Sequence, residues 1–190
     1  MDNYTEINSK TWDVWSKNGN CWSIPVTHEV FVDVRDGKWD VVLTPCKPVP
    51  KRWFEPFIKN NRLEGAKLLG LASGGVLLAG MDNGFNFIVE DFTVRPLVIT
   101  HKLPYNPLRM SEEDFQKMAD NDEGIQFSHT LEEQIGGQIK AGFILSDVFE
   151  DFNEDPDAIS DGIPAYWASR AVKPFGTENG MICIRRSDNE

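Results

Sequence analysis

A chain of 190 residues, 41% of them hydrophobic and 26% charged, is long enough for one ordinary core, so a single domain is expected over 1–190. Thirty acidic against nineteen basic residues leave a formal net charge of −11, which repels nucleic-acid backbone and anionic membrane alike; a small molecule is the expected partner. Cys21, Cys46 and Cys183 stand far apart without a CxxC pair, so neither a disulfide framework nor a zinc site is written here, and a reduced cytoplasm suits them. The opening MDNYTEINSK lacks the basic-then-apolar order of a signal peptide, and no apolar run approaches the about eighteen residues of a membrane span.

Residues 4–22 set Tyr4, Ile7, Trp12, Trp15 and Trp22 among polar neighbours. The spacing of three between Trp12 and Trp15 predicts a helical face, which Asn18, Gly19 and Asn20 stop. Such rings either pin the helix to the core or wall a pocket, since aromatic side chains bury a ligand at low entropic cost. Tyr4, Trp12, Trp15 and Trp22 are therefore the candidate substrate-binding residues. Residues 29–34 (EVFVDV) alternate apolar and acidic, Asp36-Gly37 reads as a turn, and 39–43 (WDVVL) follows. This predicts a short hairpin, although a helix through Phe31 and Val34 also fits. Pro45, Pro48, Pro50 and Pro56 bar regular helix or central strand from 44–56, which reads as a connector.

Residues 65–75 (GAKLLGLASGG) look like a strand running into a glycine-rich turn. Such a turn lets backbone N–H groups approach a nucleotide or carboxylate, and it equally suits a plain strand-to-strand connection. Further on, Ser111 before Glu112, Glu113 and Asp114 predicts a helix start with Phe115 and Met118 on its apolar edge. In 129–143 (HTLEEQIGGQIKAGF), Thr130 and Glu133 can form a capping box, Leu131, Ile135 and Ile139 make one apolar stripe, and Gly142 ends the helix. Residues 143–148 (FILSDV) then read as a strand.

His129, at that helix start, is the one catalytic candidate, because a helix N-terminus favours a neutral imidazole able to accept a proton; it can equally cap or pack there. Neither His28 nor His101 belongs to a cluster of carboxylate or cysteine partners, so no metal site is expected. In 150–161 (EDFNEDPDAISD), ligand spacing from Asp151 begins like a calcium loop with Asn153 and Asp155, but Pro156 takes the glycine position and Gly162 the final glutamate. A solvated loop is expected, followed by a tail over 174–190 that frays.

Three stretches together carry a resemblance: NYTEINSKTWDVWSKNGNCW, KLLGLASGG and FSHTLEEQIGGQIKAGF occur in the same order in bacterial class I S-adenosylmethionine (SAM)-dependent methyltransferases. In that family the first strand ends in an acidic-x-Gly-x-Gly-x-Gly loop under the methionine end of SAM. The resemblance sets Gly70 at the acidic position, Ala72 at the first glycine, Gly74 at the second and Val76 at the third, so Gly70, Ala72, Ser73, Gly74 and Gly75 are the implied cofactor-binding residues. The helix, the ribose-binding acid and strands three and four that follow in relatives do not follow here. Instead Gly74-Gly75 runs into VLLAGMDNGFNFIVED, which resembles the family's fifth strand, and IPAYWASRAVK resembles its last. A deletion between two Gly-Gly sites would give this sequence. Asp82 lies only seven residues past Gly75, where a ribose acid is expected at about twenty, so neither it nor Glu90 is assigned to ribose.

The resemblance implies an α/β fold: a truncated Rossmann-like sheet of four or five strands over 65–173, with 1–64 as lid and connector. Strands flanking Gly74-Gly75 cannot be parallel neighbours, because a parallel crossover needs a dozen or so residues. They form a hairpin, or one is displaced, and exposed strand edges then invite homo-association. Two functions are open at this point. One is methyl transfer from SAM to a small-molecule acceptor, and the other a non-catalytic remnant that binds a small molecule or forms oligomers.

Overall fold

The computed structural model describes residues 3–55, 57–60, 62, 75–92, 94–121, 124–153, 163–174, 177–178 and 181–182, the side chains of Trp22 and of the last two pairs excepted. Its central feature is a three-stranded sheet of β1 (Val76–Asp82), β2 (Ile144–Asp151) and β3 (Tyr166–Val172), in the order β1-β3-β2. Both outer strands run antiparallel to β3, with Ala79 opposite Ser169 on one side and Val148 opposite Ser169 on the other. β1 and β2 are thus parallel to each other with β3 between them. The central place of β3 matches its composition, since Trp167, Ala168, Ser169 and Ala171 are all buried and small residues let layers close on both faces. A two-stranded ribbon, β4 (Thr177–Glu178) with β5 (Met181–Ile182), follows.

This is a mixed α/β architecture: among the described residues the main sheet has three strands and every pairing is antiparallel, and the strand expected to run into the glycine-rich turn over 65–75 lies outside them up to Gly74. The chain between β1 and β2 carries α3 (Phe85–Ile88), α4 (Glu112–Asp120) and α5 (Leu131–Lys140). That is a crossover long enough to return the strand parallel, and β3 fills the gap it leaves.

The connector covers one face of the sheet. Residues 51–54 form a single turn of 3-10 helix that drops Trp53, 1% exposed, onto Ala168, Leu78 and Phe149, with Val41, Leu43, Val49 and Phe54 completing the cluster. The Trp53 and Phe149 rings lie 5.2 Å apart. Two ionic anchors hold this layer. Arg52 Nη2 and Trp53 Nε1 both donate to Asp147 Oδ2, at 2.9 and 2.7 Å, and Arg170 Nε donates to the Trp53 carbonyl at 2.9 Å. The Trp53 indole and the Arg52 guanidinium hold the Asp147 carboxyl below its ordinary range.

The other face is covered by α5, and here the structure departs from the apolar stripe. Leu131 and Ile139 are more than half exposed, while Gln134 and Gln138 face the sheet. Trp167 Nε1 donates to Gln134 Oε1 at 2.9 Å and Ser169 Oγ to Gln138 Oε1 at 3.2 Å. β3 presents an indole N–H and a hydroxyl on this face, and buried donors require acceptors, so polar pairing outranks apolar spacing. The capping box at Thr130 and Glu133 forms as expected, and Gly142, at φ +80°, follows the helix.

α1 spans Tyr4–Lys17 and stops at Asn18 and Gly19, the latter at φ +73°. The hairpin expected over 29–43 is instead α2 (His28–Arg35) followed by irregular chain, with one isolated bridge between Val42 and Pro48. Thr27 Oγ1 accepts from the Val30 N–H at 3.3 Å and Glu29 sits in the first turn, so local capping overrides the alternation of EVFVDV.

Candidate functional site

The site grows from the end of β1. There the Asp82 carbonyl accepts from Gln134 Nε2 at 2.9 Å, while its carboxylate accepts the Gly84 N–H and, at 2.7 Å, Asn86 Nδ2. Burial pushes the Asp82 carboxyl up, against the pull of those two donors. Gly84 takes φ +89°, with Leu103 packed where a side chain would stand, and the chain reverses into α3. Asp82 thus organises a turn that delivers Phe87 and Glu90 to a cavity of about 750 Å³.

Aromatic rings line that cavity. Phe87 and Tyr105 have centroids 5.4 Å apart, and His101 and Tyr105 5.1 Å. His101 Nδ1 lies 3.2 Å from the Phe87 carbonyl, fixing the imidazole edge against the backbone of α3. Burial, and after it the Glu90 carboxylate, push the Tyr105 hydroxyl up, so it stays protonated as a donor. Ser128 and Tyr105 pin each other's chains, Ser128 Oγ accepting the Tyr105 N–H at 2.6 Å and the Tyr105 carbonyl accepting the Ser128 N–H at 3.1 Å. Asn8 of α1 clasps Ile125 through both its side-chain atoms, at 2.6 and 3.0 Å, and brings the N-terminal helix to the same place.

The candidate substrate residues divide between two smaller hollows. Trp12 and Trp15, edge to face at 5.0 Å, line one of about 160 Å³ that shares Gly124 and Gln126 with the main cavity. Tyr4 stands edge-on to Phe127 at 5.3 Å in one of about 450 Å³ that shares Tyr105. His129 lines this second hollow, well exposed, with Nδ1 3.6 Å from Glu133 Oε2. The side chain of Trp22 and all of Gly70, Ala72, Ser73 and Gly74 lie outside the described residues. Gly75 is described, and its carbonyl accepts the Lys173 N–H at 2.9 Å, tying the chain before β1 to the end of β3.

The sequence reading did not assign Phe87, Glu90, His101 or Tyr105 to a site, having weighed Glu90 only for ribose and His101 only for a metal. They are spread over nineteen residues without a motif, and His101 was set aside for lacking carboxylate or cysteine partners. Asp151 and Asn153 of the acidic stretch are described. Asp151 is fully buried and its Oδ2 accepts the N–H groups of Cys46 and Lys47, a structural role. Among the described residues no group of three or more His, Cys, Asp or Glu is placed to hold a metal ion, and no helix is long and apolar enough to cross a membrane.

No family model matches the chain. It is similar to an uncharacterized methyltransferase of Bacillus subtilis (strain 168), YbaJ, at 27% identity over 255 aligned positions that take in 87% of this chain and 97% of that relative. The 255 positions exceed the chain's 190 residues by 65, so at least 65 positions within the matched span have no residue of this chain opposite them. That likeness, over 87% of this chain, supports methyl transfer.

Proposed function

We propose that this chain is a SAM-dependent methyltransferase of the class I, Rossmann-like type that acts on a small molecule, with the Phe87, His101 and Tyr105 cavity as its acceptor side. The observation that carries the reading is the likeness to a methyltransferase over 87% of the chain. SAM supplies an electrophilic methyl group on a sulfonium. The chain's own part is to hold the acceptor among the rings and keep water from it, which is how positioning lowers such a barrier. Gly70, Ala72, Ser73, Gly74 and Gly75 are the residues for the methionine end of the cofactor.

The ribose end does not fit the described residues equally well. Both carboxylate oxygens of Asp82 are engaged by Gly84 and Asn86, so this acid serves the turn and not a ribose diol. Together with the 65 or more unmatched positions, this favours a second reading, a remnant that binds a small molecule without transferring methyl. Calorimetric titration with S-adenosylhomocysteine separates the two. Heat of binding at or below millimolar ligand supports the transferase, and none at that concentration refutes it.

A further inference from the structure

We propose that the cavity beside β1 takes a compact organic cation with an apolar body, an amine, held by Glu90 against the faces of Phe87 and Tyr105. This rests on reading the cavity as the acceptor side and concerns binding alone.

Charge in the cavity is one-sided. Glu90 stands at its exposed rim with no ion-pair or hydrogen-bond partner among the described residues. The other carboxylate among the described lining residues, Asp114, accepts from Ser111 Oγ at 2.7 Å and lies 3.7 Å from Lys117. Lys117, the one lysine or arginine among the described lining residues, is in turn held 2.8 Å from Glu113, and these carboxylates push its ammonium up and keep it charged where it is. The cation already present is thus matched, and the unmatched charge is the Glu90 carboxylate. An anionic ligand would meet that carboxylate and a chain of net charge −11.

The rings supply the second half of the recognition. Phe87, Tyr105 and His101 follow one another at 5.4 and 5.1 Å, forming a continuous aromatic wall. A cation within about 6 Å of such a ring centroid is attracted by its quadrupole, more strongly where water is thinned. Glu90 and Tyr105 line the same cavity, so carboxylate and ring serve the same space. Val89, Met110 and Met118 line the rest, an apolar and deformable surface for the body of the ligand. A cavity of about 750 Å³ holds far more than an ammonium group, so that body has room.

The test uses the full chain and two probes of nearly equal shape, 2-phenylethylamine and neutral 2-phenylethanol, titrated by calorimetry at pH 7. The amine is expected to bind at least about tenfold more tightly, as for a charge-assisted contact. Glu90→Gln should abolish that preference and leave the alcohol unchanged, and Phe87→Leu, which keeps apolar bulk without a ring, should weaken the amine several-fold. Equal binding of the two probes, no binding of either at millimolar concentration, or a preference that survives Glu90→Gln overturns the proposal. The probe comparison on the unaltered chain decides the matter even if a variant fails to fold. S-adenosylhomocysteine titrated into the same sample reports separately: amine preference without cofactor heat sinks methyl transfer and not this inference, and the reverse result sinks this inference alone.

Discussion

Replacing Asp151 with asparagine removes one charge from a carboxylate that is fully buried and should loosen the connector from the sheet. Its Oδ2 accepts from Cys46 N at 2.8 Å and Lys47 N at 2.7 Å, and the side chain is 0% exposed. Bonds to a charged acceptor contribute about 1.5–3 kcal/mol each and neutral ones about 0.5–1.5, so two such exchanges cost about 2–3 kcal/mol. The smaller desolvation of a neutral amide returns part of this, leaving about 1–2 kcal/mol at pH 7. With a urea slope of about 2 kcal/mol/M, the midpoint should fall by about 0.5–1 M, followed by fluorescence of the six tryptophans. Burial pushes the Asp151 carboxyl up, but the N–H donors of Lys47 and Cys46 outweigh it, so it titrates below its ordinary 3.8. A carboxyl depressed in the folded state stabilises fully above 3.8 and loses that contribution as pH falls through the lowered value. The difference between the two proteins should therefore narrow below pH 3.8. Equal midpoints at pH 7, or a gap that persists in acid, would refute the reasoning.

Gly80→Ala should cost about 1–3 kcal/mol or more, because a Cβ there would lie 2.0 Å from the Leu43 carbonyl oxygen and backbone must move; an unchanged melting temperature would contradict that contact. Thr130→Ala removes the side-chain half of the capping box on α5 and should lower stability by about 1 kcal/mol, whereas Glu133→Gln, which can still reach back to the Thr130 N–H, should cost less in urea unfolding. The two edges of the main sheet differ: β2 carries an irregularity between Leu145 and Asp147 and acidic residues, while β1 (VLLAGMD) has no lysine, proline or bulge. β1 is expected to pair with its copy in a second chain, so sedimentation should show a concentration-dependent dimer, and a monomer throughout the micromolar range would refute this.

What could be read from the sequence was what is decided within a few residues. Ser111 caps α4, Thr130 and Glu133 close their box, and Gly19 and Gly142 follow their helices at positive φ, because each signal and its hydrogen-bond partner are near neighbours in the chain. The strand from Ile144 was legible as a short apolar run, whereas those from Val76 and Tyr166 were expected from the family resemblance. The hairpin over 29–43 failed even locally, since a Thr27 cap and an alternating pattern made competing claims on the same eight residues.

The remainder belonged to distant contacts. That Gln134 and Gln138, and not Leu131 and Ile139, face the sheet depended on Trp167 and Ser169 arriving thirty-odd residues later with donors to satisfy. That Trp53 of a proline-rich connector became the largest fully buried side chain among the described residues depended on Ala168 leaving room beneath it. The cavity of Phe87, Glu90, His101 and Tyr105 exists only because Asp82 turns the chain after β1 and Ser128 holds Tyr105 in place. The sequence by itself determined the helix caps, the strand from Ile144 and a resemblance to methyltransferases. The tertiary structure alone decided which faces are buried and which side chains meet, because burial and pairing across a hundred residues are properties of the packed whole.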